Sequence, residues 1–341
     1  MPTDAETPTA PAEPAAEAPD VPRDTRLALF RLVLLQRLME ERIINLYRQG
    51  RIPGSVYTGR GQEAVAAGAG LALGPDDVVA PLNREMATHL ARGVEVAHVF
   101  RQYLGRATGP TGGRDGNMHF GVRDRNIFPL VSMLGNLCPV TVGAALAFKR
   151  RGEPRVAMTF WGDGAMSTGD VHEGLNLGAV LGVPAVFVIQ NNQFAYSTPT
   201  ARQMRNTSIA DRVEGGWGVP CAQVDGTDAL AVYETVRGAV ERARGGDGPQ
   251  AVEARTLRMD GHAAHDDARY VDAALKEEFA TRWDPVERLA ARLLLDGLPA
   301  EEVDGLRAAA ATEVAEGLAE AEAAPPPDPA TLTQGVYATP L

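Results

Sequence analysis

An aspartate and an asparagine stand 29 residues apart, each just after a strongly apolar run. Asp163 lies in Gly162-Asp163-Gly164 and follows residues 156–161; Asn192 lies in Asn191-Asn192 and follows residues 185–190. The segment between them has the length of a helix, so the whole reads as a β-α-β unit. Parallel neighbouring strands would bring the carboxylate and the carboxamide to one carboxyl edge, where open α/β sheets take their ligands. A hard cation such as Mg²⁺ wants oxygen ligands in octahedral geometry and also binds substrate phosphates. One carboxylate, one carboxamide oxygen and one backbone carbonyl would leave positions for a diphosphate and water. Gly-Asp-Gly alone is a turn, and so is Asn-Asn alone; their paired placement after two strands is what points to a ligand site.

The elements that must position this pair alternate along the chain. Residues 1–23 are a Pro/Ala/Glu-rich tail that cannot form a core. From Asp24 the apolar residues recur at helical spacing up to Gly50. Residues 51–62 are Gly-rich and loop-like, 63–74 read as a short helix, 78–82 as a short strand and 85–105 as helix. Residues 106–128 form a long Gly-containing loop, of a length that is usually functional. An Ala/Gly-rich helix over 138–152 leads into the β-α-β unit. Further strands are expected within 218–226 and 249–259, around a helix at 229–246. A polar loop, Asp260-Gly261-His262-Ala263-Ala264-His265-Asp266-Asp267, precedes a mostly helical stretch over 273–320. Strands alternating with helices imply an α/β fold with a mainly parallel sheet covered by helices on both faces. The expected organisation is the tail 1–23, one domain over 24–325 and an extended C-terminal segment over 326–341.

Composition narrows the function. With 341 residues, 45% of them apolar, the chain can bury a substantial core. A net charge of -11 argues against nucleic-acid binding, which needs a basic footprint. Two cysteines, Cys138 and Cys221, give neither a disulfide framework nor metal spacing, so a reducing cytoplasm is expected. No apolar run reaches membrane-spanning length, and the acidic, Pro-rich N-terminus does not read as a signal peptide. Gly59-Arg60-Gly61-Gln62-Glu63-Ala64 loosely fits the dinucleotide fingerprint. It lacks the preceding strand and the later acid, and reads instead as a packing turn before a helix.

Together these blocks resemble a known family. The 162–192 segment looks like the thiamine-diphosphate motif, GDG followed further on by NN. Residues 25–285 are similar to the alpha subunit of the decarboxylating component of 2-oxo acid dehydrogenase complexes, of the pyruvate and branched-chain type. The resemblance implies a thiamine-diphosphate-binding fold in which Asp163, the Asn192 side chain and the Phe194 backbone carbonyl ligate Mg²⁺. Family members often carry Tyr where Phe194 stands, but a carbonyl ligand does not depend on the side chain. Gly164 and Ala165 would turn backbone N–H groups to the diphosphate. Ser132 and Leu134 match the two backbone contacts to the aminopyrimidine ring. Arg84 matches the arginine that grips the diphosphate, a task suited to a bidentate guanidinium; Asn83 replaces the family's preceding Tyr. His262 matches the histidine that reaches the diphosphate and the reacting carbon, and an imidazole on a loop can act near neutral pH. Ala263 stands where animal homologues have a regulatory phosphorylated serine, so that switch is not expected. His119 matches a family position in the long loop, structural or substrate-side.

The implied reaction is oxidative decarboxylation of a small 2-oxo acid, with the acyl unit passed to a lipoyl group on a dihydrolipoyl acyltransferase. In the family the glutamate that activates the cofactor comes from a beta subunit, which implies an α2β2 heterotetramer. An acetoin-cleaving relative would use the same cofactor. Two readings of another class stand beside it: a non-catalytic assembly subunit, and a metal-dependent hydrolase built on His265 and Asp266.

Overall fold

A computed structural model describes residues 21–335; residues 1–20 of the expected tail and 336–341 of the expected C-terminal segment lie outside the described residues. Helix α1 (Arg23–Arg48) begins at the expected place, but Val21 before it is already buried, so the packed body starts slightly ahead of residue 24. Its Leu29, Val33, Gln36, Glu40 and Ile43 recur every three or four residues on the buried side. Helix α2 (Glu63–Leu71) leads to strand β1 (Val78–Ala80). The helical stretch expected over 85–105 is two helices, α3 (Met86–Ala91) and α4 (Val96–Tyr103). They are separated at Gly93, whose φ of 81° ends the first. The long loop follows as expected, and its Ile127 bridges to Val79, covering the edge of β1.

Helix α5 (Leu137–Arg151), strand β2 (Ala157–Gly162), helix α6 (Gly169–Leu181) and strand β3 (Ala185–Asn191) form the expected β-α-β unit. β2 and β3 are parallel neighbours with Gly162 beside Gln190, so the chain leaves both strands at one edge. Next come elements with no clear sequence signal, a two-strand hairpin of β4 (Phe194–Ala195) and β5 (Thr198–Pro199) and the single turn α7 (Thr200–Gln203). The chain then runs through α8 (Ile209–Trp217), β6 (Cys221–Asp225), α9 (Ala229–Gly245) and β7 (Gln250–Arg255). Helices α10 (Ala273–Arg282), α11 (Pro285–Leu295) and α12 (Ala300–Ala323) complete the body. Beyond them the expected extended segment closes a short 3-10 turn at Pro329–Thr331.

The sheet is parallel throughout, in the order β1-β2-β3-β7-β6. β7 is laid down last yet enters between β3 and β6, so the ends of β2, β3 and β7 stand side by side. Both faces are covered. Met158, Phe160, Val186, Val188 and Val252 join the core built with α1, α2, α9 and α12. Ala157, Trp161, Ala185, Phe187 and Ile189 join the opposite core with α5, α6 and α8. Burial on both faces is why the strands read as continuous apolar runs. At the α5–α6 contact a Cβ on Gly174 would lie 2.5 Å from Cys138 Sγ. Both cysteines are free and buried, and burial pushes both thiols up. Among the described residues no helix is long and apolar enough to cross a membrane.

A buried ion cluster locks three helices under the Gly59–Gly61 turn. Arg37 of α1 donates through Nε to Glu63 at 2.5 Å and through Nη1 to Asp284 at 2.8 Å. Glu63 opens α2 and also accepts from Gly61 N, while Asp284 caps α11. Removing one member of such a cluster strands the others. Arg37→Ala is expected to cost about 3–5 kcal/mol, read as a lowered urea midpoint. An unchanged midpoint would show that the cluster is dispensable.

Candidate functional site

Asp163 is the first residue past β2 and is 1% exposed. Its Oδ2 accepts from Gln203 Nε2 at 2.9 Å and from the Thr200 hydroxyl at 3.2 Å, both from α7. Its Oδ1 is buried with no hydrogen-bond partner. Burial pushes the carboxyl above the usual range, against the lowering effect of Gln203 and Thr200. Gly164 is needed for close approach: a Cβ there would lie 2.7 Å from Ala195 Cβ on β4. The turn after β2 therefore packs directly on the hairpin after β3. In that hairpin Phe194 N donates to Asn192 Oδ1 at 3.3 Å, and Asn192 Nδ2 donates to Gln62 Oε1 at 3.2 Å. The Phe194 carbonyl accepts from Arg258 Nη1 at 3.3 Å. A buried carboxylate with one unmet oxygen, close to a carboxamide and a carbonyl, is a donor set that fits a hard divalent cation.

Two buried guanidiniums lie nearby, Arg258 directly against the hairpin. Arg258, 2% exposed, donates to the carbonyls of Phe194 and Tyr196 and to the Tyr270 hydroxyl. Arg84, 8% exposed, donates to the carbonyls of Thr58 and His262. Neither is ion-paired with a carboxylate among the described residues. Burial, with Arg258 nearby, pulls Arg84 down to about 10. Desolvated cations without carboxylate partners favour an incoming anion.

His262 lies between Tyr57 and Tyr196, with ring centroids 5.4 and 4.5 Å away. Its Nδ1 is 3.4 Å from Arg84 Nη2. Burial first, then Arg84 and Arg258, lower it to about 4. Burial and the two arginines thus favour the neutral ring. Asp266 accepts from His262 N at 2.6 Å and from the Tyr270 hydroxyl at 2.5 Å, so it braces the loop. His265 is exposed, and no group of three or more His, Cys, Asp or Glu among the described residues could hold a metal. The feature on which a hydrolase was considered is thus a loop brace.

Ser132 and Leu134 lie in the turn before α5, both exposed, Leu134 at 59%. Ser132 Oγ is 2.9 Å from His119 Nε2, and His119 Nδ1 is 3.2 Å from Asp115 Oδ1. No hydrogen bond among the described residues joins this turn to Asp163. It is backed by Thr168, the residue closing the Asp163–Ser167 turn, against which a Cβ on Gly135 would come within 2.5 Å. Sequence reasoning identified Asp163, Asn192, Arg84 and His262 but missed Gln62, Thr200, Gln203 and Arg258. Of these, Arg258 stands four residues before His262, but among Glu253, Arg255 and Asp260 nothing local marks it out.

Comparison with known proteins places the chain in a family. The profile of the dehydrogenase E1 component family matches residues 30–330. The alpha subunit of 3-methyl-2-oxobutanoate dehydrogenase from Mycobacterium tuberculosis is 38% identical over 283 residues, 82% of this chain and 73% of its own. The alpha subunit of acetoin:2,6-dichlorophenolindophenol oxidoreductase from Cupriavidus necator is 34% identical over 92% of this chain and 95% of its own. The pyruvate dehydrogenase E1 component subunit alpha of Zymomonas mobilis is 34% identical over 89% of this chain and 86% of its own.

The folded His262 value lies below the ordinary histidine value of 6.5. The stability this environment contributes is therefore fully present above pH 6.5 and is lost as the pH falls toward 4. NMR titration should find the ring neutral down to about pH 4. Arg84→Met, which removes one facing charge, should raise the midpoint. A wild-type midpoint at the ordinary value would overturn this assignment.

Proposed function

We propose that this chain, which belongs to the dehydrogenase E1 component family, is the alpha subunit of a thiamine-diphosphate-dependent 2-oxo acid dehydrogenase that works with a beta subunit. The observation that carries the reading is the buried Asp163 carboxylate with one unmet oxygen, packed against the Asn192 turn. Asp163, Asn192 and the Phe194 carbonyl would hold Mg²⁺. Arg84 and the backbone of Gly164 and Ala165 would hold the diphosphate. The backbone of Ser132 and Leu134 would hold the aminopyrimidine ring. When bound, thiamine diphosphate supplies the carbon nucleophile and the electron sink that decarboxylation of a 2-oxo acid requires.

This chain's residues bind, orient and keep water out. Arg84 sits where an anion would replace backbone carbonyls as its partner. Arg84 Nη2 can only donate, so the His262 Nδ1 that faces it is the acceptor and Nε2 carries the ring proton, the atom left to deliver it. Tyr57 and Tyr196 flank the ring and limit its rotation and hydration. The acyl acceptor is a lipoyl group carried by a dihydrolipoyl acyltransferase, and the substrate is a small 2-oxo acid. Cleavage of acetoin is the second reading, favoured by the nearly full-length similarity to an acetoin oxidoreductase subunit.

The test is turnover of a panel of 2-oxo acids and acetoin by the chain purified with its beta subunit. Activity is expected to require both thiamine diphosphate and Mg²⁺, and the isolated chain should show none. Appreciable turnover by the isolated chain would refute the shared site. Asp163→Ala should weaken Mg²⁺-dependent cofactor binding by at least ~100-fold in calorimetry. Its thermal midpoint without cofactor should not fall, because the substitution removes an incompletely satisfied buried carboxyl. Wild-type affinity in that variant would remove Asp163 from the site.

A further inference from the structure

Gln62 stands at the N-cap position of α2 and is fully buried, yet its side chain makes no capping hydrogen bond. Its orientation follows from its neighbours. The backbone N–H of Phe194 can only donate, so the Asn192 atom facing it is the oxygen. Asn192 Nδ2 is then turned toward Gln62, and the Gln62 atom that meets it must be the acceptor Oε1. That leaves Gln62 Nε2, a buried group with two N–H donors and no partner. Next to the same asparagine turn, Asp163 Oδ1 is a buried acceptor with no partner. The two unmet groups are opposite in sense, one wanting a cation and the other an anionic oxygen.

We infer that Gln62 is a further cofactor-site residue, whose Oε1 fixes the Asn192 carboxamide while its Nε2 donates to an oxygen of the diphosphate. The inference rests on the reading that this site holds a Mg²⁺-diphosphate group. It adds a contact from α2 to a site otherwise built at the ends of β2 and β3. It also accounts for a polar residue at the N-terminal edge of a helix whose other buried residues are nearly all small and apolar.

Calorimetry on the complex of this chain with its beta subunit, at pH 8 with saturating Mg²⁺ and thiamine diphosphate as titrant, tests it. Gln62→Glu keeps the acceptor for Asn192 and replaces the donor with an oxygen. If Nε2 meets the diphosphate, the dissociation constant rises about 10- to 100-fold, the loss of one hydrogen bond to a charged group. Wild-type affinity in Gln62→Glu would overturn the inference and leave Gln62 as a support for Asn192 alone. Gln62→Met, apolar and similar in volume, covers the case in which the glutamate variant does not assemble. A lost diphosphate contact leaves its affinity low even at saturating Mg²⁺, whereas a defect confined to the metal ligand is overcome as Mg²⁺ is raised. If the wild-type complex itself binds no thiamine diphosphate, the underlying reading of the site fails, a result distinct from either variant outcome.

Discussion

Asp163 is ionisable, buried and only half satisfied, and the neighbouring structure is arranged around that fact. A lone carboxylate taken out of water is costly unless it is hydrogen-bonded or paired. Here α7 meets one oxygen with two side chains and nothing meets the other. That arrangement needs α7 to lie over the end of β2, although α7 follows β3 in sequence. The hairpin β4–β5 makes the return possible by folding straight back from the end of β3. Its close seat on Gly164 then fixes the distance between the two strand-end turns. The parallel register of β2 and β3 brings the two turns to one edge; the glycine contact holds them together.

Charges around that hairpin are kept from pairing. Arg258 lies close enough to influence Asp163, yet its guanidinium is turned to backbone carbonyls and a phenol. Had the two met, they would have formed an internal ion pair with no remaining need for a ligand. Their separation leaves an acid without a cation and two arginines without acids. Such a site is incompletely satisfied in itself and complementary to a group carrying both charges. The lowering at His262 has burial as its first cause, and the arginines that would attract an anion add to it by repelling a proton from the ring.

Which parts of this were legible in the sequence follows from the range of the interactions. The pairing of Asp163 with Asn192 could be read because each stands directly after an apolar strand and parallel strands share an edge. His262 and Arg84 could be identified by resemblance, but the state of His262 could not. It depends on residues at 57, 84, 196 and 258, brought together only when β7 enters between β3 and β6. Strand order leaves no local trace, and the same holds for Gln62, whose partner lies on another strand's exit. The helix expected over 85–105 failed at Gly93 for a local reason, a positive φ that periodicity alone does not reveal.

The site is also one-sided. The end proposed to hold the metal and diphosphate is enclosed by this chain, with Asp163, Asn192, Arg84 and Arg258 all below 9% exposure. At the other end Met133 and Leu134 stand 63% and 59% exposed beside Ser132. Exposed apolar residues continue along the adjoining helices, at Val140 on α5 and at Leu177 and Val180 on α6. Apolar side chains concentrated next to a site, on helices that pack together, suit a surface met by another chain. Enclosure at the anionic end and exposure at the ring end are what a cofactor held between two subunits requires. In the proposed arrangement one subunit would fix the metal and the diphosphate, and the reactive ring would be left for both to reach.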